Sequence, residues 1–131
     1  MSELFRIQLK VRDYECDLQG LVNNAVYQNY LEHARHEFLL SRGVDFAAMA
    51  QRGEFPVVVR AELDYRKPLR PGDGFFVTVR CSMEGKIRMV FQQEIVRDDG
   101  VAMLQARFVT TVLDARGRPR IPEGLVQRLA D

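Results

Sequence analysis

The stretch DYECDLQGLVNNAVYQNYLEHARHEF, Asp13 to Phe38, decides the fold, because the spacing of its apolar residues changes within it. Just upstream, Phe5, Ile7, Leu9 and Val11 alternate with Arg6, Gln8, Lys10 and Arg12, the period-two pattern of a strand with one polar face. From Ala25 onward Val26, Tyr27, Tyr30, Leu31, Ala34 and Phe38 recur at spacings of three and four, while Glu32, His33, Arg35, His36 and Glu37 fill the gaps. That pattern predicts an amphipathic helix of about four turns. Asn23 or Asn24 suits its N-cap and Gly43 its stop. Between strand and helix a single acid, Asp17, sits in a short turn containing Gly20. It is either a turn former, as aspartates often are, or a reacting carboxylate aimed at the helix start.

Four more strands are expected downstream. Val57, Val59, Ala61, Leu63 and Tyr65 alternate with Arg60, Glu62, Asp64 and Arg66 up to Pro68. The PGDG turn, Pro71 to Gly74, opens the next strand, with Phe75, Val77, Val79, Cys81 and Met83 on one face. Past Glu84–Gly85 come Ile87, Met89, Phe91 and Ile95, then the hairpin signal Asp98-Asp99-Gly100. Val101 to Leu113 is apolar on both faces in places, which predicts a central strand. A short helical turn is expected around Asp45 to Gln51 and another in the tail. Strand, long helix and four strands joined by tight turns define an α+β layout, one helix against a strongly curved antiparallel sheet. Residues 1–131 are expected to form one domain, with no repeat or linker.

A chain with 47% hydrophobic and 28% charged residues is globular in composition, and its net charge of +1 argues against a nucleic-acid partner. No apolar run matches a membrane span and the N-terminus lacks a signal-peptide core, so no membrane partner and a cytoplasmic location are expected. Cys16 and Cys81 make neither a disulfide framework nor a metal site. The carboxylate beside Cys16 works against a reactive thiolate. His33 and His36 share a predicted helix without a third ligand, so neither a metal nor a cofactor is expected. Glu32 and Arg35 are spaced for a local ion pair worth roughly 0.2–0.5 kcal/mol.

Val11 to Arg35, VRDYECDLQGLVNNAVYQNYLEHAR, resembles the hotdog-fold acyl-CoA thioesterases of the 4-hydroxybenzoyl-CoA thioesterase type. In that family a strand leads to an aspartate, two variable residues, Gly, two apolar residues and a helix with Asn/Tyr and Glu-x-x-Arg elements. LDYRKPLRPGD, Leu63 to Asp73, is similar to the strand and turn after the family's helix. The resemblance implies a hotdog fold and a thioester hydrolase acting on acyl-CoA. Asp17 would be nucleophile or general base, and the Asn24 backbone N–H, with Asn23 beside it, the oxyanion donor. Gly20 would allow close approach of backbone to substrate. Leu21 and Asn24 stand where some relatives carry histidine, which counts against a histidine-assisted variant. An acyl-carrier-protein substrate and a non-catalytic acyl-CoA-binding role are the alternatives.

Tyr27 is a candidate for the acyl site, against a plain core role. The resemblance also implies two subunits paired edge to edge, with the sites at their interface and tetramers in many relatives. Pro56 to Tyr65 is the candidate edge, with Val57, Val58 and Val59 lining the partner's acyl pocket. Coenzyme A phosphates need cations, for which Arg60, Lys86 and Arg88 are candidates, with Arg66, Lys67 and Arg70 as a second group. Val58, Phe76 and Val90 are expected on the back face, and Tyr14 at the strand end.

Overall fold

The computed structural model describes residues 4–130; positions 1–3 and 131 of the expected unit lie outside them. β1 (Phe5–Lys10) is followed by a 3-10 turn at Asp13–Glu15, then by α1 (Asn24–Ser41) and α2 (Phe46–Gln51). β2 (Phe55–Tyr65), β3 (Gly74–Glu84), β4 (Arg88–Arg97), β5 (Ala102–Leu113) and α3 (Leu125–Leu129) complete the chain. The strands form one antiparallel sheet in the order β1-β3-β4-β5-β2. The expected helix and strands are present, although α1 is longer than the periodicity suggests, at 18 residues. Asn23 rather than Asn24 is its N-cap, accepting from the Ala25 N–H. The stop falls at Gly43, whose φ of 75° lies in the left-handed region glycine adopts freely.

The apolar stripe of α1, with Leu31, Ala34 and Phe38 at 0% exposure, packs on the inner sheet face. That face carries Phe75, Val77 and Val79 from β3, Phe91 and Ile95 from β4, and Leu104 and Phe108 from β5, in one core cluster with the helix residues. The outer face is mixed: Val90 and Val109 pair across it, while Arg60 is paired to Glu62 and Arg107 bridges Glu62 and Glu84. β5 lies between β4 and β2, so its two-faced apolarity marks an interior strand, while β4 holds the middle. β2 is an edge strand, bonded only to β5.

One irregularity overturns an expected orientation. Val58 pairs with Thr110 and Arg60 with Val109, which leaves Val59 as an extra, bulged residue. The bulge shifts the alternation by one. Pro56 and Val58 therefore turn toward the inner side, and the expected back-face position of Val58 is corrected. Among the described residues no helix is long and apolar enough to cross a membrane.

Candidate active site

The turn holding Asp17 is closed by backbone bonds. Cys16 and Val22 form an isolated antiparallel bridge. Inside it, the Asp17 N–H donates to the Leu21 carbonyl at 2.8 Å and the Gly20 N–H to the Asp17 carbonyl at 3.0 Å. Gly20 has a φ of 75°, which explains a glycine at this corner. Asp17 Oδ1 accepts from the Gln19 and Leu21 N–H groups at 2.9 and 3.2 Å. These two bonds orient the carboxylate. Its Oδ2 has no hydrogen-bond partner among the described residues, and the side chain is exposed.

The helix opens directly after the bridge. The Asn23 N–H donates to the Glu15 carbonyl at 3.0 Å, so the end of the turn is tied to its beginning. The Asn23 side chain takes the Ala25 N–H at 3.0 Å, and its carbonyl takes the Val26 N–H at 2.9 Å. Among the described residues the Asn24 N–H has no acceptor. It lies at the positive end of the α1 dipole, where unpaired donors face solvent.

Two tyrosines clamp this corner from within. The Tyr30 hydroxyl donates to Glu15 Oε1 at 2.7 Å, and the same oxygen accepts the Arg12 N–H at 2.7 Å. The Leu69 N–H donates to the Tyr27 hydroxyl at 2.8 Å, and the Leu69 carbonyl accepts from the Val22 N–H at 3.0 Å. Burial, reinforced by the bond to Glu15, raises the Tyr30 phenol well above its usual range. Burial also raises Tyr27, partly offset by the Leu69 N–H. The Tyr65 ring meets Tyr27 edge-on at 5.6 Å, and its hydroxyl donates to the Asn24 carbonyl at 3.4 Å. Desolvation and then the charges of Asp17 and Glu15 push the Cys16 thiol up, which disfavours the thiolate.

The expected site residues divide into groups. Asp17, Gly20, Asn23 and Asn24 occur together at the corner just described. Tyr27 is next to them, at 3% exposure, with its hydroxyl oxygen taking the Leu69 N–H. Val57 and Val58 stand at the other end of the sheet, in the wall of a cavity of about 210 Å³ beneath α1, α2 and α3. Val59, half exposed in the bulge, is not in that wall. Arg60 is exposed on the outer face against Glu62, and Lys86 and Arg88 are exposed at the β3–β4 turn. Tyr65 is seven residue steps along β2 from Val58, roughly 23 Å. Within one chain, then, the cavity and this cation group do not meet Asp17. Arg66, Lys67 and Arg70 are on the acid's side, in the segment that Leu69 anchors to Val22 and Tyr27.

Two further expectations are corrected. Tyr14 does not pack at the strand end; it is 80% exposed. Glu32 and Arg35 form no ion pair, because Glu32 turns to His36 at 3.8 Å and Arg35 turns inward. The sequence reading did not single out Glu15, Tyr65 or Leu69, nor the buried position of Arg35. For Arg35 a signal existed: it is four residues from Leu31 and three from Phe38, within the apolar stripe.

One long helix wrapped by a curved five-stranded antiparallel sheet is the hotdog layout. The model of the Thioesterase-like superfamily matches residues 11–129, and the chain belongs to that superfamily, whose class of enzyme is the thioester hydrolase. It is 41% identical over 127 residues to the acyl-acyl carrier protein thioesterase ATL3 of Arabidopsis thaliana and 39% identical over 118 residues to ATL2. It covers 67% and 63% of their lengths, with 95% and 88% of its own chain aligned. The long-chain acyl-CoA thioesterase FadM of Escherichia coli is 29% identical, with 83% of each chain covered. A hypothetical protein of Aquifex aeolicus superposes with a TM-score of 0.88 at 29% identity, covering 95% of this chain and 98% of its own.

Proposed function

We propose that the chain hydrolyses an acyl thioester, with Asp17 as the reacting carboxylate and the Asn24 N–H as the oxyanion donor. The observation that carries this reading is the corner itself. One carboxylate oxygen is pinned by two backbone N–H groups, the other is free, and the first N–H of α1 is unpaired. As general base, Asp17 takes a proton from water while the oxygen attacks the thioester carbon. The carbonyl oxygen gains charge toward the helix opening, and the carbon–sulfur bond then breaks to release thiolate and acid. As nucleophile, Asp17 attacks the thioester carbon, the carbon–sulfur bond breaks to release thiolate, and water then opens the mixed anhydride. Label from solvent oxygen entering the protein in a single turnover distinguishes the second route from the first.

The substrate is an acyl-CoA in this reading. The identity to the two plant acyl-carrier thioesterases supports a second reading, in which the thioester arrives on an acyl carrier protein. Both use the same corner.

The active unit in this proposal is a pair of chains joined along β2. Phe55, Val58, Val59 and Tyr65 leave an exposed apolar band along that edge, and Leu18 and Tyr14 extend it into the Asp17 turn. Such a band on an open edge calls for a partner. Antiparallel pairing of two β2 strands places one chain's Phe55 end beside the other's Tyr65 end. The cavity behind Val57 and Val58, with Lys86 and Arg88 at the same end, then comes to the partner's Asp17. The test is Asp17→Asn, assayed by thiol release from a panel of acyl-CoAs and acyl-carrier thioesters. Asn keeps an oxygen for the Gln19 and Leu21 N–H groups, so the fold persists while turnover falls by about a thousandfold. Full turnover in that variant removes the proposal.

A further inference from the structure

The cavity behind Val57 and Val58 has four polar groups in its wall, Glu32, Arg35, His36 and Thr110, and of these Arg35 is the buried charge. Leu39, Val44, Phe46, Met49, Phe91 and Val112 give it a hydrocarbon lining, yet Arg35 is also in the wall. Arg35 is only 8% exposed. Its guanidinium stacks 3.9 Å above the Phe108 ring, and Nη1 donates to Gln93 Oε1 at 3.0 Å. Gln93 is fixed in turn by donating to the Leu31 carbonyl at 3.0 Å. No carboxylate among the described residues forms an ion pair with Arg35; Glu32, exposed in the same cavity wall and 3.8 Å from half-buried His36, acts on it through its charge alone. Burial lowers the guanidinium pKa to about 10, so it remains charged at neutral pH.

A buried guanidinium with no carboxylate hydrogen-bonded to it is costly unless something completes it. It has five N–H donors in a flat fork, and Gln93 takes one. No enclosed side-chain nitrogen or oxygen lacks a partner. Nε and Nη2, which donate to no described residue, therefore reach accessible surface, and Arg35 lines the cavity. A cavity of about 150 Å³ holds a benzene, so this one has room for a short acyl tail. Stacking on Phe108 and the anchored Gln93 hold the fork in place before a ligand arrives.

We infer that the cavity selects thioesters whose acyl chain ends in a carboxylate, with Arg35 gripping that terminal group. The inference rests on the hydrolase reading, since it names the acyl group that reading left open. A carboxylate suits the site better than a ketone or hydroxyl because it brings a charge into direct contact with the fork and offers it two coplanar oxygens.

Hexanoyl-CoA and adipyl-CoA test it, as six-carbon chains ending in methyl and in carboxylate. Wild-type kcat/KM should favour adipyl-CoA by about tenfold or more, and Arg35→Gln should erase most of that ratio, with Arg35→Lys keeping part of it. A wild-type ratio at or below one overturns the inference, and needs no variant to fold. An unchanged ratio in Arg35→Gln overturns it too, as does a change in that variant's sedimenting mass, which assigns the guanidinium to a contact between chains. If neither thioester is hydrolysed, the hydrolase reading fails for this acyl length, and calorimetric titration still decides the inference. Tighter binding of adipyl-CoA upholds it and equal binding overturns it.

Discussion

Glu15 and Tyr30 hold the Asp17 turn from behind. The phenol donates to a carboxylate that also receives the Arg12 N–H, so Tyr30→Phe removes a charge-assisted bond and costs about 1.5–3 kcal/mol. Urea denaturation measures that loss. The pH dependence has a definite sign. The folded chain raises the Tyr30 phenol above its ordinary value of 10.0, so above that pH the unfolded chain releases a proton the native chain keeps. Stability present below pH 10 is lost as pH rises past it. Tm measured from pH 9.5 to 11 should fall less steeply in Tyr30→Phe than in the wild type, and equal slopes refute the clamp. The acid was legible because a lone Asp in a glycine turn before a helix is a local pattern. The clamps were not: Glu15 and Tyr30 are 15 residues apart and Tyr27 and Leu69 42 apart, and no period links them.

α1 and β2 show what period can and cannot say about an element. The helix was readable because Leu31, Ala34 and Phe38 keep their spacing, and Asn23 satisfies the Ala25 N–H at the point where the pattern begins. Asn23→Ala should cost about 1 kcal/mol in chemical denaturation, the usual penalty for a lost cap. It should also weaken turnover, since the cap fixes where the Asn24 N–H points. β2 alternates just as plainly, yet its reading failed at one place. The bulged Val59 shifts the face of everything before it, and one extra apolar residue in an apolar run leaves no trace in composition. The shift is checkable by filling the cavity. Val58→Phe should move the acyl-length optimum of kcat/KM toward shorter chains, because Val58 is in the wall. Val59→Phe should leave the optimum where it is; the opposite pairing of results would restore unbroken alternation.

At the scale of the molecule, the proposed site is divided along one strand. Asp17 and the helix opening occupy the Tyr65 end of β2, and the cavity with Val57 and Val58 occupies the other. No sequence pattern conveys this separation, because it arises from the antiparallel course of β2 against β5 and from the edge left open. In the proposed two-fold pairing along that edge each site is made from two chains, and complementation tests that proposal. Asp17→Asn lacks the acid and keeps its cavity; Val58→Arg keeps the acid and blocks its cavity with a charge. Neither variant alone should turn over substrate. In a mixed dimer both defects fall in one site and the other site is intact. Random mixing makes half the dimers mixed, so equal amounts unfolded and refolded together should recover about one quarter of wild-type activity. A site contained in a single chain recovers nothing under the same mixing, because every chain then carries a defect of its own.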